Sequence, residues 1–398
     1  MKIVIASDSF KGSLASMEVA RSVEMGILDV FPSCDVVKVA VADGGEGTMD
    51  ALCQSLGGRF IRIPVQDPIG RTIFASYVIL QDGITAVLDM SSASGLTLLK
   101  PAERNPMLTS TYGTGQLIDD AIGRGCRRFL VGIGGSATND GGMGMLQALG
   151  FRFLDADGNE LSGVGASLSK VCRIDGSRVL PAVHESEFIV ACDVDSPLYG
   201  PDGAAYVFAP QKGADLEMVR ALDYGLRHFA EVTAMYMNSS ENRLSANLEK
   251  KDGYLLVKGN VIQDMSSMPG AGAAGGLGYA FVAFFGARLQ RGVDMVLDAV
   301  GFDRIIEGAD LVITGEGRID AQTLTGKTPY GVLQRASRQN IPVIALAGSV
   351  ALDDSSGFAS ISQITPPDMQ LSEAMLPAVA SANLRRTISA LLQQIQIT

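Results

Sequence analysis

Residues 2–13 read KIVIASDSFKGS, an apolar run of strand length, Lys2–Ala6, that passes directly into a polar loop holding Asp8, Lys11 and Gly12. Four further apolar runs follow the same plan: Val36–Val41, Phe129–Ile133, Leu311–Thr314 and Val343–Ala347. Their loops are ADGGEGT from Ala42, GGSATNDGG from Gly134, GEGRID from Gly315 and a shorter GS from Gly348. Short apolar runs bounded by turn residues read as buried strands of a parallel sheet. In such a sheet, ligands bind outside the carboxyl ends of the strands. Glycine lets backbone N–H groups approach a phosphate, and carboxylates hold Mg²⁺ beside it. The pattern predicts chemistry on a phosphorylated ligand.

Composition narrows the class. At 398 residues the chain is long enough for two domains, and 47% apolar residues supply a large core. The net charge of −11 and the lack of a basic stripe argue against nucleic acid. Cys34, Cys53, Cys126, Cys172 and Cys192 are scattered without a CxxC pair, which suggests neither zinc nor a disulfide framework. The first residues start a strand and meet Asp8 too early for a signal peptide. These features together predict a reduced, cytoplasmic enzyme. Met268–Ala287 is uncharged over 20 residues, but it opens as MPGAGAAGGLG. It reads as a glycine loop and a buried helix rather than a membrane span.

The predicted organisation is β-α-β at the start, with a helix near Ser16–Phe31 carrying Val19, Val23 and Ile27 on one face. A helix near Gly47–Leu56 follows the second strand. Phe60–Val65, Thr72–Leu80 and Thr85–Asp89 then read as antiparallel strands. A helix near Gly115–Gly123, the strand Phe129–Ile133 and the helix Gly141–Leu149 return to α/β. Residues from Phe151 to Gly286 are mixed, with a strand at Phe188–Cys192, a helix near Asp215–Met237 and a polar stretch at Ser239–Gly253. The α/β rhythm resumes with Leu311–Thr314, a helix at Gly331–Arg338, Val343–Leu346 and a last helix near Leu376–Gln393. The expected architecture is two α/β domains. One is a parallel sheet assembled from the discontinuous pieces 1–58, 107–150 and 290–398. The other is an inserted mixed α/β domain of 59–106 and 151–289.

Each loop admits a bland reading and a functional one. In SDSFKGS, Asp8 can accept a proton and Lys11 can neutralise an anion; alternatively Ser13 caps a helix. Phe10 reads as a core anchor. In ADGGEGT, Asp43 and Glu46 can hold a metal, or Glu46 sits at a helix N-terminus. Gly132-Ile-Gly134-Gly135-Ser136-Ala137 matches a dinucleotide fingerprint, with Asp155 as the distant acid. Ser136, Thr138, Asn139 and Asp140 fit an ATP–Mg²⁺ loop better, because Asp140 would repel a bare pyrophosphate. GEGRIDAQTLTGKT holds Glu316, Arg318, Asp320 and Lys327. Its G-K-T lacks the earlier glycine and the strand of a P-loop, whereas Arg318 suits a carboxylate or phosphate. Asp193 and Asp195 follow a strand and can share one face, or they form an Asx-turn. His184 and His228 read as surface residues.

Together D-S-F-K, V-A-D-G-G-E-G-T, G-I-G-G-S-A-T-N-D-G-G-M-G, A-C-D-V, F-A-P-Q-K-G-A, P-G-A-G-A-A-G-G-L-G and V-I-T-G-E-G-R-I-D resemble the bacterial glycerate kinases, in order and over nearly the whole chain. Ser7 stands where that family usually has proline, and D-V-D-S-P-L replaces a more usual D-V-T-N-P-L. The resemblance implies ATP-dependent phosphorylation of D-glycerate to 2-phosphoglycerate. It also implies an α/β fold of two domains, one a discontinuous flavodoxin/Rossmann-like parallel sheet, with a cleft between them. Residue type and loop position then suggest roles. Asp193, Asp8 and Lys11 are the catalytic candidates, and Ser9, Lys11 and Arg318 would bind substrate. Gly134, Gly135, Ser136, Thr138, Gly272 and Gly275 would hold the nucleotide phosphates, and Asp43, Glu46, Asp140 and Glu316 Mg²⁺. A nicotinamide-dependent dehydrogenase and a non-catalytic sugar-acid sensor remain alternatives. No partner beyond small molecules is indicated.

Overall fold

The computed structural model describes residues 1–398 except 46, 240–247, 252–253, 258–259, 263–264, 353–355 and 397–398. The metal candidate Glu46 and much of the stretch Ser239–Gly253 therefore lie outside the described residues. The chain forms two compact units, Met1–Gly57 with Arg291–Thr398, and Gly58–Gln290.

The first unit is built on a five-stranded, wholly parallel sheet. In spatial order its strands are Asp35–Ala40, Lys2–Ser7, Leu311–Ile319, Val343–Val350 and Ser360–Gln363. Counted along the chain the order is 2-1-3-4-5, the flavodoxin-like arrangement. Alternation along each strand feeds two apolar layers. Ile3, Ile5, Ile313, Ile344 and Leu346 face the helices Ser16–Val30 and Pro377–Gln396 through Val19, Val23, Ile27, Leu384 and Ile388. Helices Thr48–Leu56, Gly292–Val300 and Thr328–Ser337 complete the unit. The last is pinned by the largely buried Arg335, which donates to Asp294, Asp298 and Asp303.

The strand Arg128–Gly132, expected in this sheet, belongs to the other unit. It lies between Thr85–Asp89 and Glu187–Ala191 in a six-stranded mixed sheet. That sheet runs Arg288–Gln290, Glu187–Ala191, Arg128–Gly132, Thr85–Asp89, Thr72–Leu80, Gly58–Gln66, and only the last two pairings are antiparallel. Residues 107–150 thus fall in the second unit, because strand pairing is a long-range choice that an apolar run does not encode. The fifth strand of the first sheet, Ser360–Gln363, escapes sequence reading because SISQ has no apolar run; as an edge strand it needs none.

Met268–Ala287 contains the helix Ala273–Phe285, whose side chains are buried on nearly every side. Among the described residues no helix is long and apolar enough to cross a membrane.

Candidate functional site

The carboxyl ends of the first unit's parallel strands surround a cavity of about 430 Å³. Asp8, Ser9 and Lys11 enter it from the loop after Lys2–Ser7, and Asp43 from the loop after Asp35–Ala40. Glu316 and Arg318 come from the end of the third strand, Gly348 and Ser349 from the fourth, and Ile364 and Thr365 follow the fifth. The first and third strands are adjacent, yet their connections leave in opposite directions across the sheet. This switch point is where a doubly wound sheet opens a crevice. The backbones meet there tightly, with Asp8 N donating to the Gly315 carbonyl at 2.9 Å.

Asp8 is 6% exposed. One carboxylate oxygen accepts from Ser9 N at 2.6 Å, the other from Thr328 Oγ1 at 3.1 Å. Thr328 opens the helix Thr328–Ser337, with Pro329 in its first turn. Burial, and then the neighbouring Asp43 charge, push the Asp8 carboxyl up to about 6. Glu316 is also buried; Thr323 Oγ1 donates to it, and burial raises its pKa. The cations are held loosely. Lys11 Nζ stands 3.7 Å from Asp43, Lys327 Nζ 3.8 Å from Glu316, and the Arg318 guanidinium 3.2 Å from Asp320. Lys11 and Arg318 are mostly exposed. The site therefore combines oriented, buried carboxylates with more exposed cations, which suits holding anions beside an acceptor for a proton.

The cavity brings together Asp8, Ser9, Lys11, Asp43, Glu316 and Arg318 from the sequence candidates. It adds Lys327, which the sequence reading set aside with the rejected P-loop; the buried hydroxyls of Thr323 and Thr328, outside the lining, orient Glu316 and Asp8. The run Thr323-Leu-Thr-Gly-Lys-Thr328 after an acidic loop was the available signal. Ser13 does not cap the first helix, whose N-cap is Ala15, with Glu18 closing back on the Ala15 N–H. Phe10 is a core residue as expected.

The other candidates lie in the second unit. Asp140 is completely buried, and its carboxylate accepts from Thr111 N and Oγ1, Gly142 N and Gly144 N. With those donors it anchors the loop rather than facing a metal. Ser136 and Thr138 also turn inward: their hydroxyls bond each other at 3.0 Å. Beneath them lies Lys212, 2% exposed, whose Nζ donates to the Thr138 carbonyl at 2.7 Å. Burial drives the Lys212 ammonium down to about 7. Asn139 keeps both side-chain polar atoms buried without a partner. Gly272 and Gly275 serve packing. A Cβ on Gly275 would lie 2.1 Å from the Thr138 carbonyl, and one on Gly272 2.2 Å from that of Pro197. Gly134 and Gly135 alone among these candidates are exposed. Asp193 and Asp195 are exposed beyond the strand, which ends at Ala191, so strand alternation does not align them.

The dinucleotide reading loses its acid: Asp155 accepts from the backbone of Asp157 and Asn159 in a turn after Arg152–Leu154. His184 is exposed, whereas His228 is half-buried against the Val171 carbonyl at 2.8 Å.

Comparison with known proteins matches residues 3–396 to the glycerate kinase family. The chain belongs to that family. It is 45% identical over 378 residues to a glycerate kinase of Bacillus subtilis, covering 94% of this chain and 93% of that one. It is 44% identical over 353 residues to a glycerate 2-kinase of Escherichia coli, covering 89% and 86%. A solved structure described as a putative glycerate kinase 2 from Salmonella typhimurium matches with a TM-score of 0.87 at 40% identity, over 100% of both chains. The dehydrogenase and sensor readings gain no support from these relatives.

Proposed function

We propose that the chain transfers the γ-phosphoryl group of ATP to the 2-hydroxyl of D-glycerate, giving 2-phosphoglycerate, in the cytoplasmic breakdown of glyoxylate and sugar acids. The observation that carries this reading is the convergence of Asp8, Lys11, Asp43, Glu316, Arg318 and Lys327 in one cavity at the sheet's switch point.

Phosphoryl transfer asks a protein mainly to position two anions and neutralise them. Lys11, Arg318 and Lys327 supply that positive charge, and Arg318 can grip the glycerate carboxylate through two parallel hydrogen bonds. Ser9 borders the same space and can hydrogen-bond a substrate hydroxyl. Asp8 takes the hydroxyl proton in this reading. Its raised pKa, about 6, lies near working pH, where a general base is most effective. Asp193, outside this cavity, is the less favoured base.

Mg²⁺ in a kinase is held by one or two carboxylates, substrate phosphates and water, and the cavity lining supplies carboxylates of that kind. Asp43 and Glu316 are the residues that would hold it. When bound, the ion would neutralise charge on the phosphates.

The test is ADP release from the purified protein with ATP, Mg²⁺ and D-glycerate, followed by ³¹P NMR of the product. A 2-phosphoglycerate signal is expected. A 3-phosphoglycerate signal would correct the regiochemistry, and turnover only with other sugar acids would correct the substrate.

A further inference from the structure

The cavity of the first unit is larger and less polar than glycerate needs. At about 430 Å³ it falls in the range that takes a drug-sized ligand. Glycerate is a three-carbon acid with oxygen on every carbon, and the charged side chains of the lining satisfy it. The lining also includes an apolar set, Ile364, Leu371, Ala374, Met375 and Ala380, that glycerate does not need. Leu371 is 68% exposed and Met375 37% exposed, although both are large and apolar. Met375 reaches the first loop, its Cε lying 3.0 Å from where a Cβ on Gly12 would stand.

Within the second unit, by contrast, most of the residues that resemble a nucleotide site are packed inward, and among those candidates only Gly134 and Gly135 remain exposed. Gly275 and Gly272 abut backbone carbonyls, and Ser136 and Thr138 are engaged with Lys212 and each other.

We propose that the first unit's cavity is the nucleotide site. The adenine ring lies on Ile364, Leu371 and Met375, and the phosphates run toward Lys11, Arg318 and Lys327. The proposal rests on the kinase reading above. An ATP molecule suits both kinds of lining side chain, its flat and weakly polar ring the apolar ones and its polyanion the cations. The thioether of Met375 is polarizable and pairs well with an aromatic ring. Ile364 and Thr365 follow the fifth strand and Lys11 follows the first, so a ligand spanning them lies across the carboxyl ends of the sheet.

The test begins with turnover of the unaltered full-length protein, which checks the kinase reading by itself. The protein is then irradiated with 8-azido-ATP and digested. Label is expected on the segment 364–380 and to be displaced by ATP; label on 134–142 or 270–276 would overturn the proposal. Leu371→Glu and Met375→Glu change exposed side chains. Each is expected to raise the KM for ATP tenfold or more, with the KM for glycerate within about twofold. An unchanged KM for ATP with a raised KM for glycerate would assign the apolar set to the acid substrate and overturn the proposal.

Discussion

Two polar, glycine-bearing loop systems terminate the parallel strands of this protein, and they have opposite internal economies. In the first unit, Lys11 and Lys327 stand 3.7 and 3.8 Å from their nearest carboxylates. Cations held that loosely near the surface add little to stability and remain available to a ligand. In the second unit, Asp140 accepts several hydrogen bonds between 2.7 and 3.2 Å, and Lys212 donates one of 2.7 Å. Those groups are satisfied internally. The same residue types, Gly, Ser, Thr, Asp and Lys, thus build a ligand cavity in one place and a structural knot in the other. Sequence motif strength does not separate the two; the partners of each polar atom do.

The sharpest way to break this comparison is to disable one residue in each loop system. Asp8→Asn is expected to lower kcat by about 10²–10⁴-fold, the usual worth of a general base. It is also expected to stabilise the fold at pH 7 by roughly 1–3 kcal/mol. The sign follows from the raised pKa. Between the unfolded value of 3.8 and about 6 the native state holds the extra proton, so stability falls as pH rises through that window. Above it the buried charge is a standing penalty that asparagine removes. Urea melts at pH 5 and pH 7.5 would show the gain at the higher pH; a loss there would refute the burial argument.

Lys212→Ala should do the reverse. It removes the stronger of two donors to the Thr138 carbonyl, which keeps only the Ser136 hydroxyl at 3.3 Å, and leaves a hole beneath the loop; together these cost about 2–4 kcal/mol. Amide exchange of residues 134–142 should quicken, with both KM values unchanged in the folded protein. A selective rise in the KM for ATP would return the second-unit loop to the ligand.

A matched glycine pair tests the same point at smaller amplitude. Gly275→Ala puts a methyl 2.1 Å from a carbonyl at a φ of +72° and should destabilise by about 1–3 kcal/mol. Gly134→Ala meets nothing within 4 Å and should melt with the parent. The smallest effect is in the pH profile. The acid limb of kcat/KM should bend near pH 6 as Asp8 ionises, with a plateau above. A bend near the ordinary carboxylate value would assign the base elsewhere.

Much of the first unit was readable in advance. Lys2–Ala6 with Asp8, and Leu311–Thr314 with Glu316, are strands that deliver a carboxylate directly, because a buried parallel strand must be apolar and its exit loop must be polar. The helix bearing Val19, Val23 and Ile27 was legible for the same reason, a 3.6-residue period. Ser360–Gln363 and the apolar lining set were not, since an edge strand and an exposed Leu371 carry no local signature. Lys212 was hidden because lysine is rarely buried, and the Thr138 carbonyl and Ser136 hydroxyl that receive its ammonium are assembled only by the fold.

By itself, then, the sequence determined the α/β class, the carboxylate-bearing strand ends and the membership of the glycerate kinase family. These depend on local polarity patterns and on motif order, which a linear chain records in full. The tertiary structure alone decided which sheet Arg128–Gly132 joins. It decided too which loops open into a cavity and which close on themselves. Strand partners and hydrogen-bond acceptors are chosen among residues far apart in the chain, so their geometry exists only once the chain has folded.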